Sequence, residues 1–218
     1  MTADQSQPLE GAPFWRPHSL QGQRVPRAFF ERPTLTVARE MLGLRLVHVV
    51  EGRRVAGIVV ETEAYIGEAD QGCHARAGRT RRTQVMYGPP GHAYVYFNYG
   101  MHWLFNVVTE AEGFPAAVLV RALFPVEGLT YMAKQRAGRP RVAWTNGPAK
   151  LCQALGITGR YHGLDLCTDE SPLFFEYDGV FDEDAVVRGP RVGLNNVPEP
   201  WRSKPWRFRV RLGRWTFR

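Results

Sequence analysis

Two runs of alternating side chains, His92 to Phe97 and His102 to Val108, face each other across Asn98-Tyr99-Gly100-Met101. A period of two puts Tyr94 and Tyr96 on one face of a strand and Val95 and Phe97 on the other. A two-stranded hairpin is marginal in water by itself, so this pair demands further strands around it. The hairpin therefore predicts an antiparallel sheet. Tyr99, at the turn beside Gly100, cannot easily bury itself within its own hairpin; it either packs under a neighbouring loop or projects as a wedge.

The other predicted strands are Leu44–Val50, Val55–Tyr65 after a turn at Glu51–Arg54, Ala116–Ala122, and short pieces at Asp165–Thr168 and Leu173–Tyr177. Pro205 to Arg211 alternates, with Trp206, Phe208 and Val210 expected toward the core. Pro33-Thr34 opens a helix with Leu35, Ala38, Met41 and Leu42 at helical spacing, and Gly43 ends it. Pro125 to Arg136 reads as a second helix. Thr145-Asn146-Gly147-Pro148 leads into a third, stopped at Gly156. His74 to Gly91 is a long irregular connection broken by Gly78, Gly88, Pro89, Pro90 and Gly91. Met1 to Pro26 is polar, without period, and is expected to lack fixed structure. Residues 27–218 should then form a single domain. Its class is α+β, built around a curved, mostly antiparallel, open barrel-like sheet with flanking helices.

Charge narrows the function. Lys+Arg number 28 against 21 Asp+Glu, a net charge of +7, and lysine occurs only at Lys134, Lys150 and Lys204. The excess is arginine, whose planar fork donates two hydrogen bonds to one phosphate. Arg76, Arg79, Arg81 and Arg82 crowd into one loop and fit contact with a nucleic-acid backbone, or equally a solvated charged loop. Three cysteines with no CxxC pair argue against a disulfide framework and a structural zinc site, and for a reducing interior. No basic-then-apolar leader and no membrane-spanning apolar run is present, which predicts a soluble intracellular protein.

Val59 to Tyr65 carries the chemistry. As a strand it aligns Glu61, Glu63 and Tyr65 on one face. Two carboxylates so close either raise one pKa or require a cation. They could form a base or nucleophile, or a solvated edge paired with arginines. Arg121 interrupts the apolar run Ala116 to Leu123, so it should point inward and need Glu61 or Glu63 as a partner. Asn106, on the return strand, either reads a base edge or satisfies a backbone group. His74 with Glu61 and Glu63 lacks the spacing of a metal site. A sugar-hydrolysing carboxylate pair also fits poorly, because positions two apart on a strand lie about 7 Å apart and point the same way.

The blocks Val59-Val60-Glu61-Thr62-Glu63-Ala64-Tyr65-Ile66-Gly67, His74, Met86 to Val108, Leu119 to Leu123 and Asn146 to Ile157 resemble the alkyladenine (3-methyladenine) DNA glycosylases, from about Phe29 to near the C-terminus. The resemblance implies a monofunctional base-excision-repair enzyme that flips an alkylated or deaminated purine out of duplex DNA. It would hydrolyse the N-glycosidic bond and leave an abasic site. Glu63 would activate water and Arg121 would support it. Tyr65 and Tyr96 would stack on the flipped base, His74 would bond near base and sugar-phosphate, and Asn106 would sit at the pocket floor. Tyr99 would intercalate, and Lys150 would touch the DNA backbone. In many relatives the arginine loop reads Thr-Pro-Arg-Asn; here it is Thr80-Arg81-Arg82-Thr83, which leaves the phosphate contacts of Arg76, Arg79, Arg81 and Arg82 open. No lysine lies in this constellation to form a Schiff base. The expected partner is double-stranded DNA with damaged purines, bound by a monomer in the cytoplasm near the nucleoid, without membrane, protein partner, metal or cofactor. The alternative is a binder of damaged DNA that performs no chemistry.

Overall fold

The computed structural model describes residues 15–211 of the 218-residue chain. In chain order the described elements are β1 (Trp15–Pro17), α1 (Arg27–Phe30), α2 (Thr34–Glu40), β2 (Arg45–Val50) and β3 (Arg53–Ile66). There follow β4 (Ala93–Asn98), β5 (His102–Val108), β6 (Ala116–Glu127), α3 (Leu129–Gln135) and α4 (Pro148–Leu155). The chain closes with β7 (Leu173–Glu176), β8 (Gly179–Phe181), β9 (Val186–Gly189) and β10 (Arg207–Val210).

β3 is the spine. Its 14 residues pair with β6 along one edge, while the other edge is shared between β2 at its start and β10 near its end. The main path runs β4-β5-β6-β3-β10-β9, with β2 and β7 branching from β3, and every one of these pairings is antiparallel. The sheet is open, and the protein is an α+β domain. The anticipated hairpin is β4–β5, in register from Ala93 opposite Val107 to Asn98 opposite His102.

Helix α2 packs on the back of β3, where the buried Thr62 hydroxyl donates to the Ala38 carbonyl at 2.7 Å. Val37, Ala38, Met41 and Leu42 are buried; Leu35, expected inward, lies 36% exposed. α4 begins with Pro148, whose missing N–H costs nothing at a helix start, and ends at Gly156 with φ 71. It buries Leu151, Cys152, Ala154 and Leu155 against the sheet. His48 on β2 is fully buried and joins α4 to the sheet. Its two ring nitrogens meet the Leu155 carbonyl and the Tyr161 hydroxyl, both at 2.6 Å, and burial lowers its pKa.

Three expectations need correction. Pro125 to Glu127 is not the start of a helix: it continues β6 opposite Gly57 and Ala56, and α3 starts only after Gly128 at φ 70. A side chain at Gly128 would collide with the Arg54 carbonyl, so the chain turns there. Asp165 to Thr168 forms no strand; Asp165 makes only an isolated bridge with His92. Order begins well before Phe29. β1 pairs with β8, Trp15 is buried against Gly179, and the Val25 amide donates to the Phe175 carbonyl. One tryptophan supplies enough apolar area to anchor an otherwise polar segment. Residues 1–14 lie outside the described residues.

Candidate active site

The site forms where the second half of β3 meets β6, the hairpin and two loops. The β3–β6 register shifts on both sides of Glu61. Ala122 sits opposite Glu61 and Val120 opposite Thr62, which leaves Arg121 without a Cα partner in the ladder. Such an irregularity re-aims the unpaired side chain. Arg121 reaches both carboxylates: Nε donates to Glu61 at 3.1 Å and Nη1 to Glu63 at 3.3 Å. Glu61 also accepts from Arg207 at 3.3 Å.

Glu63 is fully buried, and each of its contacts is a donor. Oε2 accepts from Arg121 and from the Tyr65 hydroxyl at 2.9 Å; Oε1 accepts from the Val192 amide at 2.6 Å. Burial pushes its pKa above the ordinary carboxylate value, against the pull of Arg121, the Val192 amide and the Tyr65 hydroxyl. Burial, with Glu63 next to it, also holds the Tyr65 hydroxyl well above its ordinary pKa, so it remains a donor.

In front of this carboxylate lies a cavity of about 360 Å³. Tyr65, His74, Tyr94, Tyr96, Asn106 and Arg121 line it, with Tyr99, Pro148 and the Val192–Leu194 loop also in its wall. Glu63 stands just behind the wall, one hydrogen bond away through Tyr65 or Arg121. The pleat explains the hairpin's share: Tyr94 and Tyr96 on β4, and Leu104 and Asn106 opposite them on β5, all face the cavity. Asn106 is 3% exposed and its Nδ2 donates to the Tyr94 carbonyl at 2.9 Å.

His74 opens a short 3-10 turn, His74–Ala77. Its Nδ1 meets the Tyr94 hydroxyl at 2.8 Å and its ring stands edge-on to Tyr96, centroids 4.6 Å apart. Burial first, then Arg82 and Arg76, push its pKa down to about 4, so the imidazole is neutral near pH 7. Tyr65 and Tyr96 each carry a guanidinium over the ring, Arg191 at 4.7 Å and Arg82 at 4.8 Å.

The structure therefore gathers Glu63, Arg121, Tyr65, His74, Tyr96 and Asn106 at one place. Tyr99 projects at the hairpin tip, 84% exposed. Arg76, Arg79, Arg81 and Arg82 lie on the surface of the connecting loop. Lys150 lies on the first turn of α4 beside the cavity-lining Pro148, with Nζ bonded to Asn146 at 2.8 Å. Among the described residues no group of three or more His, Cys, Asp and Glu side chains could hold a metal ion, and no helix is long and apolar enough to cross a membrane.

Sequence reasoning missed the loop that closes the site from behind. Arg191 and Asp70 are both fully buried and form a bidentate pair at 2.5 and 2.8 Å. Arg191 also bonds the Ala64 carbonyl, and Asp70 accepts from the Ile66 and Gly72 amides. The pair fastens the loop carrying Val192 to the end of β3 carrying Tyr65. Only the run Arg188-Gly189-Pro190-Arg191-Val192-Gly193 hinted at it, and no spacing rule links it to a residue 121 positions away.

The profile of the family described as methylpurine-DNA glycosylase matches residues 28–213. A Myxococcus xanthus protein is 50% identical over 188 residues, covering 86% of this chain and 90% of its own. A Methanocella arvoryzae protein is 48% identical over 185 residues, 84% of this chain and 90% of its own. A Bacillus cytotoxicus protein is 43% identical, covering 85% of this chain and 95% of its own. All three bear the provisional name 3-methyladenine DNA glycosylase.

Proposed function

The chain belongs to the methylpurine-DNA glycosylase family, and on that footing we propose that it flips a damaged purine from duplex DNA into the cavity and hydrolyses its N-glycosidic bond, with Glu63 as the base. The observation that carries this reading is the wholly buried Glu63 carboxylate, held by three donors directly behind a tyrosine-walled cavity. A carboxylate with a raised pKa accepts a proton more readily than an exposed one. Arg121 and the Val192 amide fix its orientation and favour its ionised form against the effect of burial.

The bond between C1′ and the base nitrogen breaks, and its electron pair leaves with the base. A water oxygen bonds to C1′ and its proton passes to Glu63. The anion also stabilises the oxocarbenium-like sugar that develops on the way. A cationic alkylated base leaves readily. Tyr65 and Tyr96 provide the stacking walls, His74 and Asn106 the polar edges, and Tyr99 the wedge that fills the gap in the duplex. Arg76, Arg79, Arg81, Arg82 and Lys150 hold backbone phosphates. With no lysine lining the cavity, no Schiff base forms and the product is an abasic site. The enzyme acts as a monomer.

Base release from duplexes containing 3-methyladenine or hypoxanthine tests the mechanism. Glu63→Gln should keep duplex affinity and lose roughly a hundredfold or more in release rate, the usual contribution of a positioned base. Undiminished release from that variant would overturn the assignment.

A further inference from the structure

The base cavity uses one face of the hairpin; the other is buried in the core over Val95, Phe105 and Val107 and opens only near the tip. There lies a cleft of about 670 Å³. Its floor is aromatic: Phe97 is 45% exposed, and its ring lies 4.6 Å from that of Trp103 across the hairpin. The opposite bank is the backbone of Thr158 and Gly159, pressed so close that a side chain at Gly159 would run into the Trp103 indole. Glycine there lets the loop meet the indole edge while the Phe97 ring stays open.

The rim is cationic. Arg81, Arg82 and Arg160 line it, and no carboxylate does. Among the described residues no acidic side chain forms an ion pair with any of the three. Arg82 and Arg160 instead lie over Tyr96 and Tyr161, at 4.8 and 4.6 Å. Other arginines are neutralised by acids, as Arg39 is by Glu183 and Arg54 by Glu176, and so offer no free charge to a ligand. Unpaired arginines around exposed rings are complementary to a ligand carrying both a flat π-system and negative charge, and a nucleotide carries both. The cleft adjoins the base cavity, with Tyr96 in the wall of both.

We propose that this cleft is a second nucleobase subsite, which stacks an unpaired base of single-stranded DNA on Phe97 and Trp103 and holds its phosphates with Arg81, Arg82 and Arg160. It requires only that DNA be the substrate, not that Glu63 be the base. A duplex opened at a lesion offers such unpaired bases beside the flipped one.

The test compares two labelled strands of about twelve nucleotides, within the span of small single-strand sites, one of oligothymidylate and one of abasic sugar-phosphate. Anisotropy with the full chain should show a preference for the bases of roughly tenfold, in line with one stacked base. Phe97→Ser, at an exposed position that tolerates a small side chain, should abolish that preference. Arg160→Ala should weaken both strands alike and flatten the salt dependence. Hypoxanthine release from a saturating duplex should be unchanged in both variants. Equal affinity of the wild type for the two strands would overturn the subsite, and so would a preference that persists in Phe97→Ser. Because neither variant touches Glu63, failure here and failure of the Glu63 mechanism remain distinct results.

Discussion

Tyr99 occupies a backbone conformation that tyrosine does not favour. Its φ is 50 and that of Gly100 is 65, both in the turn closed by the Met101 amide on the Asn98 carbonyl. Two successive positive φ values mark a type I′ turn, where asparagine and glycine are the usual pair. An exposed tyrosine in the first position is therefore strain retained for what the ring does. Tyr99→Asn should raise stability by about 0.5–1 kcal/mol, a gain of about 2 °C in Tm for a chain of this length. The same change should slow base release from duplex DNA and spare release from single strands. Thermal melting beside paired release assays would decide it; equal duplex activity with or without the ring would remove Tyr99 from the mechanism. The Tyr-Gly tip was legible in the sequence, though its exposure was not, because the residue types equally allow Tyr99 to pack under a neighbouring loop. Nor was the strain, since it depends on which turn closes the hairpin.

The loop from Pro190 to Leu194 shows where pattern reading stops. Glu61, Glu63 and Tyr65 could be placed on one face because strand geometry imposes a period of two, and Arg121 could be turned inward because a charge broke an apolar run. The Val192 amide on Glu63 has no side-chain signature, and the Asp70–Arg191 pair joins segments far apart in sequence. The register shift around Glu61 was equally invisible, because one irregular pairing changes no residue type. The buried pair should matter more to the fold than its loop position implies. Arg191→Met leaves Asp70 buried without its counter-ion, a loss of about 3–5 kcal/mol. Asp70→Asn combined with Arg191→Met should recover part of that in denaturant melts. Equal losses in the single and double variants would show that packing on Tyr65 and Trp206, rather than charge, fastens the loop.

The open sheet puts the hairpin at one end, with β4 as an edge strand. That placement leaves the hairpin's tip end accessible on both sides, to the base cavity on one and to the Phe97–Trp103 cleft on the other. Sequence patterning identified the hairpin and the antiparallel class but not the strand order, which follows from long-range pairings such as β3 with β10. The early anchoring of Trp15 escaped for a similar reason: its partner Gly179 lies on a strand of three residues, too short to show alternation.

One feature of the interior bears on the conditions in which such a protein works. All three cysteines are free, and burial holds each thiol protonated: Cys73 is pushed up to about 12, Cys167 to about 11, and Cys152 upward as well. Thiolates are the form that reacts with electrophiles. The reagents that methylate purines also methylate sulfur, so a repair protein meets the agent that makes its substrate. Here the sulfur nearest the base cavity, Cys73, is 1% exposed and protonated at neutral pH. The native chain should resist iodoacetamide at neutral pH under conditions in which the unfolded chain takes up one adduct per cysteine, as intact-mass measurements would show. Labelling of the native chain at the unfolded rate would contradict this. A DNA-repair protein built this way outlasts the chemical insult that calls for it.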